Sequence, residues 1–309
     1  MIQRIAAFII TYERPAAVSV MVDKLLLQTR PPETILVIDN SSSLQTKELI
    51  HSLNDSRIRY HRVGHNSGPA GAAQIGLKLL ADEGYGWICW CDDDDPPETP
   101  TSFDDIFKIL GEGNFQDREV GVIGKAGGKI NRTTGRTTSF RNDELRGIVE
   151  ADYIAGNKMM IVSSNVVKND ILPEAKLFFG FEELEFCLRI KEKGFKILFN
   201  GSKLRERRMI GGKSHGSYRW HGQSIGDTDK LWRQYYSTRN MLYVLKVNGL
   251  WFALILNITK ALSKSIYGFR YGLKYGSKNF RIQTLALFHF IGGRFGQTNL
   301  SGILERRKS

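Results

Sequence analysis

The stretch from Trp87 to Pro97, Trp-Ile-Cys-Trp-Cys-Asp-Asp-Asp-Asp-Pro-Pro, leaves the chain few choices. A short, uncharged, aromatic-rich run, bounded by Gly86 before it and prolines after it, predicts a buried strand over Trp87–Cys91. The carboxylates Asp92, Asp93, Asp94 and Asp95 then fall where that strand leaves its sheet. In open α/β sheets ligands bind beyond the carboxyl ends of the strands, so a dense negative charge stands at the expected site. Four adjacent carboxylates repel one another, and turn chemistry needs one of them at most. A bound cation is the compensation this pattern predicts.

The rest of the first hundred residues supplies neighbours for that strand. Ile5 to Ile10 is a short apolar strand, and Thr11-Tyr-Glu-Arg-Pro15 turns it into a helix with Pro15 in the first turn. Val18, Val22, Leu25 and Leu26 give that helix its buried stripe. Ile35–Ile38 is a second buried strand that also ends in a carboxylate, Asp39, and Ile58–Val63 reads as a third. Strand, helix, strand with polar strand ends is the parallel βαβ unit, so residues 1–100 read as a nucleotide-binding half-sheet. No Gly-x-Gly-x-x-Gly follows the first strand and no Gly-Lys-Ser/Thr loop occurs, which argues against a dinucleotide enzyme or a P-loop ATPase.

Beyond Thr101 the pattern changes to an amphipathic helix through Phe103, Ile106, Phe107 and Leu110, then a strand at Val120–Ile123. Lys129 to Ser139 reads as an exposed hairpin or loop, and Asp152–Val162 brings the chain back to the sheet. The segment from Phe178 to Arg189 runs into a helix that stops at Gly194, before a further strand at Phe195–Phe199.

Charge is distributed unevenly. Of the formal +12, residues 241–309 carry eleven Lys and Arg against the single acid Glu305, a net of +10, which leaves about +2 for residues 1–240. Leu250 to Phe269 combines Trp, Leu, Ile and Phe with Lys260 and Lys264 one turn apart, the signature of a helix in the membrane interface. A helix packed on the catalytic domain or a dimer contact are the competing readings. Val247 to Thr259, the longest uncharged apolar run, falls short of the roughly 20 residues a membrane helix needs. Neither a signal peptide nor a span is read, which places the protein on the cytoplasmic side. The three cysteines, Cys89, Cys91 and Cys187, suit a reducing compartment better than a disulfide framework.

In order along the chain, Thr11-Tyr-x-Arg-Pro15, Val37-Ile-Asp-Asn-Ser41, Asn66-x-Gly68, the Asp92 run, Phe179-x-Phe-Glu-Glu-x-Glu-Phe-x-x-Arg189, His221, Tyr235-Tyr-x-x-Arg-Asn240 and Gly292-Gly-Arg-x-Gly296 form an ordered set. It resembles the landmarks of family 2 glycosyltransferases with a GT-A fold, in the bacterial rhamnosyltransferase and galactofuranosyltransferase branch. The resemblance implies a Rossmann-like, mostly parallel α/β sheet flanked by helices. With the charge division, residues 1–240 read as the catalytic domain, 1–100 its nucleotide-binding half and 101–240 its acceptor-binding half, and residues 241–309 as a basic helical region. It implies an inverting transfer from a UDP- or dTDP-sugar to a hydroxyl of a lipid-linked glycan. Nucleic acid would also account for the basic tail, but the acidic site argues against it as a partner.

A sugar diphosphate donor leaves with negative charge, which a hard cation held by oxygen ligands neutralises. Asp92 and Asp94, two residues apart on a loop, can both reach one such ion, and the resemblance adds His221 as a further ligand, with Mn2+ or Mg2+ as the ion. It also puts Asp39 on the nucleotide base, with Thr11, Arg14 and Asn66 nearby and Asp93 as a further donor contact. Asp39 reads equally as a turn-former before Asn40 and Ser41. A general base must take the acceptor proton, and Glu182, Glu183 and Glu185 are candidates. The resemblance places the base on Glu183, with Glu182 before it, although the family usually has Asp there. Glu185 is better read as the partner of Arg189 four residues on. The substitution of Glu for Asp motivates the alternative of a non-catalytic nucleotide-sugar or polysaccharide-binding protein on the same fold.

Overall fold

Eleven strands and eleven helices follow in the order β1 (Ile5–Thr11), α1 (Pro15–Leu26), β2 (Thr34–Asp39), α2 (Gln45–Ser52), β3 (Ile58–Arg62), α3 (Gly68–Asp82), β4 (Trp87–Asp92), α4 (Ser102–Glu112), β5 (Val120–Gly124), β6 (Gly127–Ile130), β7 (Thr137–Ser139), β8 (Ile148–Glu150), β9 (Tyr153–Ile154), β10 (Met160–Ser163), α5 (Ser164–Lys168), α6 (Glu182–Glu192), β11 (Lys196–Asn200), α7 (Gly201–Ile210), α8 (Leu231–Val247), α9 (Trp251–Tyr267), α10 (Leu273–Ile291) and α11 (Ser301–Leu304), among the described residues. The structure is a computed structural model that describes residues 4–112, 115, 119–211 and 228–304.

Two compact units divide the chain. The first comprises residues 1–129, 140–175 and 183–216, and the second residues 130–139, 176–182 and 217–309. The first unit is built on an eight-stranded sheet of order β3-β2-β1-β4-β10-β5-β11-β8. β1 pairs in parallel with β2 and β4, as do β2 with β3 and β11 with β5. β10 runs antiparallel between β4 and β5, and β8 antiparallel on the β11 edge.

The buried strands read as continuous apolar runs because both faces of the sheet are covered. Alternation then sorts their side chains. Phe8, Leu36, Ile38, Ile88 and Trp90 point to the face covered by Leu77 and Leu80 of α3 and Phe186 of α6. Ile9, Val37, Trp87, Cys89 and Cys91 point to the other, against Val18, Val22 and Leu25 of α1 and Phe103 of α4. Gly76 lets α3 lie directly on the sheet: a Cβ there would come within 2.5 Å of the Phe8 ring. The register Thr11↔Asp39 and Ile10↔Asp92 brings the carboxyl ends of three adjacent parallel strands level.

The second unit is helical. Leu231, Tyr235 and Tyr236 of α8 pack with Ile282 and Ala286 of α10, Phe178 and Leu300. The fully buried Arg239 donates to the carbonyls of Leu177 (3.1 Å) and Gly296 (3.0 Å), with the Tyr235 and Tyr236 rings about its guanidinium. Asn240 donates to the carbonyls of Leu177, Phe179 and Gly180, each at 2.9 Å. The boundary expected at residue 240 therefore falls inside α8. α8 shares one core with α10, and a shift from acid-rich to acid-poor sequence does not mark where packing changes. No helix among the described residues is long and apolar enough to cross a membrane.

Candidate active site

Each predicted donor-side residue of the first unit stands at or just beyond a strand end. Thr11 closes β1 and donates its hydroxyl to Asp93 Oδ2 at 2.8 Å. Arg14, the residue before α1, reaches Asp93 Oδ1 at 2.8 Å and forks onto Asp94 Oδ2 with both terminal nitrogens at 3.2 Å. Asp39 closes β2 and is fully buried. Its Oδ1 accepts from the Ser41 backbone N–H at 2.9 Å and its Oδ2 from the Tyr60 hydroxyl at 2.8 Å. Burial first, and then the Asp39 carboxylate, push the Tyr60 phenol up to about 12, so it remains a donor to Asp39. The turn-forming bond to Ser41 is thus present. Asn66 accepts from the Gly68 N–H at 3.0 Å, which ties it to the start of α3.

Glu13 was not anticipated. It takes a left-handed backbone, φ +54°, and its carboxylate accepts from the N–H groups of Ser42 and Ser43 at 2.7 and 3.1 Å. The loops after β1 and β2 are thereby clipped together next to Arg14. The only signal in sequence is a carboxylate facing a serine run across two predicted strand ends.

Asp92 and Glu183 form the centre of the site. The Glu183 Oε1 accepts the Gly156 N–H at 3.0 Å. A Cβ on Gly156 would stand 3.1 Å from that same oxygen, 3.4 Å from Asp92 Oδ2 and 3.5 Å from the indole nitrogen of Trp90. Two carboxylates and an indole therefore converge on one glycine. Burial first, then Glu183, Asp94, Asp93 and Asp95, push Asp92 up to about 7. Burial likewise raises Glu183, against its backbone hydrogen bonds. Asp95 is raised by burial, with Lys158 and Lys125 working in the opposite direction. The Trp90 N–H is buried with no acceptor among the described residues.

The acidic set fits a hard cation at Asp92, whose charge no described basic side chain bonds, while Arg14 already engages Asp93 and Asp94. No group of three or more His, Cys, Asp or Glu with the geometry of a complete metal site occurs among the described residues. His221 lies outside the described residues. Glu182 is the buried first residue of α6 and belongs to the second unit, and Glu185 forms the expected bond to Arg189 at 2.6 Å.

A family model for glycosyl transferase family 2 matches residues 6–165, more than half of the chain. The chain belongs to glycosyl transferase family 2. The matched segment runs from β1 to α5 and holds every strand-end carboxylate described above, while Glu183 lies beyond it. The chain is similar to galactofuranosyltransferase GlfT1 of Mycolicibacterium smegmatis, with 22% identity over 268 residues that cover 80% of this chain and 84% of that one. Among solved structures it is similar to mannosyltransferase PcManGT from Pyrobaculum calidifontis in complex with GDP-Man and Mn2+, at 10% identity and a TM-score of 0.49, over 98% of this chain and 78% of that one. It is also similar to S. aureus TarS residues 1–349 in complex with UDP, at 14% identity and a TM-score of 0.47, over 94% and 89%. The mostly parallel α/β sheet expected of a GT-A family 2 transferase is the sheet this chain adopts.

Proposed function

We propose that this family 2 chain is an inverting, divalent-cation-dependent glycosyltransferase. Its donor is a UDP- or dTDP-sugar of the galactofuranose or rhamnose type, and its acceptor a hydroxyl of a growing, lipid-linked cell-surface glycan. The observation that carries the reading is the convergence of Asp92 and Glu183 on Gly156. Burial makes the Glu183 carboxylate more basic than an exposed one, which suits it to accept a proton, and it is fixed by a backbone N–H rather than by a competing cation. Glu183 takes the acceptor hydroxyl proton as the acceptor oxygen forms its bond to the anomeric carbon. The bond from that carbon to the diphosphate oxygen breaks on the opposite face, and the nucleoside diphosphate leaves.

Mn2+ or Mg2+ held by Asp92 and Asp94, with His221, would offset the charge of the leaving diphosphate. Thr11 and Arg14 hold Asp93 in place for a donor contact, and Asp39 and Asn66 line the base side. Glu182 is the partner acid beside the base. Supporting the membrane-facing acceptor, α9 exposes Trp251, Phe252, Ile255, Leu262 and Ile266 in a chain segment of net +10. The enzyme then works peripherally at the inner face of the cell membrane.

Donor hydrolysis, followed with UDP- and dTDP-sugars with and without Mn2+ or Mg2+, tests the reading. Glu183→Gln is expected to lower turnover about 10²- to 10⁴-fold while a nucleotide-sugar thermal shift persists. Donor binding without any turnover, unchanged by Glu183→Gln, would leave the non-catalytic binding protein as the correct account.

A further inference from the structure

The second unit contains a cavity of about 460 Å3, lined by none of the residues assigned to the transfer. Its size falls within the roughly 300–1,000 Å3 of small-molecule sites. Its lining is chemically one-sided: Arg136, Lys260 and Lys264 contribute to it, and no carboxylate does among the described residues. Burial first, and then the neighbouring Lys260, hold the Lys264 amine below its ordinary pKa.

The cations are brought there by fold. The turn at 131–136 is closed by the Asn131 N–H on the Arg136 carbonyl at 2.9 Å, and Gly135 takes φ +69°. Asn257 of α9 donates to the Thr134 carbonyl at 2.9 Å and so docks the turn that carries Arg136. The wall opposite is preorganised. Buried Gln283 accepts from Thr238 at 2.9 Å and donates to Gln234 at 3.1 Å, while buried Asn279 donates to the Lys264 carbonyl at 2.8 Å. The cavity is therefore a built feature and not a packing fault. Arg136, Lys260 and Lys264 lie at its exposed rim with Tyr267 and Tyr271, whereas Leu242 and Ala261 are buried beside Asn279 and Gln283. Positive charge at the rim, with the tyrosine rings beside it and Leu242 and Ala261 further in, suits a molecule with an anionic head and an apolar chain.

We propose that this cavity binds a lipid phosphate or diphosphate, its phosphate held by Arg136, Lys260 and Lys264 and its chain lying against Leu242 and Ala261. The site is built from the second unit alone, and with an isoprenoid carrier as occupant it rests on the transferase reading, since it would hold the lipid of the acceptor.

Isothermal titration of the full chain with dodecyl phosphate, dodecyl maltoside and inorganic pyrophosphate tests it. Dodecyl phosphate is expected to bind at least about tenfold more tightly than either control, because it alone has both the charge and the chain. The double variant Lys260→Gln, Lys264→Gln is expected to lose about tenfold or more of that affinity. Arg136→Gln, on an exposed turn, gives a second reading should the double variant fail to fold. Equal binding of dodecyl phosphate and either control, or unchanged affinity in folded variants, overturns the site. Displacement of dodecyl phosphate by farnesyl phosphate alone identifies an isoprenoid carrier. Displacement by short-chain phosphatidic acid identifies a bilayer lipid, and displacement by neither counts against the proposal. A nucleotide-sugar thermal shift on the same samples separates failure here from failure of the transferase reading, since only the latter removes that shift.

Discussion

Burial and the neighbouring acids lift the Asp92 carboxyl to about 7, whereas an unfolded Asp titrates near ~3.9. The folded chain binds this proton more tightly than the unfolded chain. Its contribution to stability therefore falls as pH rises from about 4 to about 7 and levels off above that. In metal-free protein we expect Asp92→Asn to raise Tm at pH 8 by about 2 °C or more, with a smaller gain at pH 5. Equal gains at the two pH values, read by calorimetry, would contradict this assignment. Gly156→Ala should act through geometry instead, since its methyl would crowd the Glu183 carboxylate at 3.1 Å while only touching Asp92 at 3.4 Å. Turnover is expected to fall about 10- to 100-fold with the donor thermal shift retained. Asp39, Asp92 and Thr11 were legible as strand-end residues because an apolar run that stops at a polar residue marks where a buried strand emerges. Gly156 and the Trp90 N–H were not legible. Their role depends on where an antiparallel return strand enters the sheet, which no local pattern encodes.

At the level of elements, the sequence periodicities find β1, β2, β4, β5, β11, α1 and α4 within a residue or two. Among those they miss are α2, α5 and α7. In α7, Lys203, Arg205, Arg207 and Arg208 leave no clean apolar stripe, and the helix is held by Asn200 at its N-cap, which accepts from Lys203 N–H at 2.9 Å, and by Arg208 on the Phe140 carbonyl at 2.8 Å. The Tyr235 to Asn240 landmark was legible as a pattern but not as a device. Its device is a clamp: Arg239 and Asn240 on one turn of α8 collect the carbonyls of the segment that leads into α6. An Arg→Lys exchange keeps the charge but loses the planar fork that reaches several oxygens at once. We expect Arg239→Lys to cost about 2–3 kcal/mol in chemical denaturation. An unchanged unfolding midpoint would show that the clamp is dispensable.

Across the whole molecule, the +10 of residues 241–309 and the exposed apolar stripe of α9 belong to the same unit. Phe252→Glu with Ile255→Glu is expected to reduce co-sedimentation with phosphatidylglycerol vesicles several-fold. Raising salt from about 50 mM to about 500 mM should weaken wild-type binding as surface charges are screened. Undiminished binding in both cases would exclude this face as the contact. Point substitutions suit this test better than removal of residues beyond 240, which would cut α8 in half. The second unit is also discontinuous in sequence, joining residues 130–139 and 176–182 to residues 217–309. Its timing during synthesis follows from that arrangement. Thr134 leaves the ribosome well before Asn257, the residue that docks it, and at about 5–20 residues per second the turn waits roughly 6–25 s for its partner. The first unit has most of its sheet made by then. The helical unit is consequently the last to close, and a pause or chaperone acting late in translation would bear on it alone.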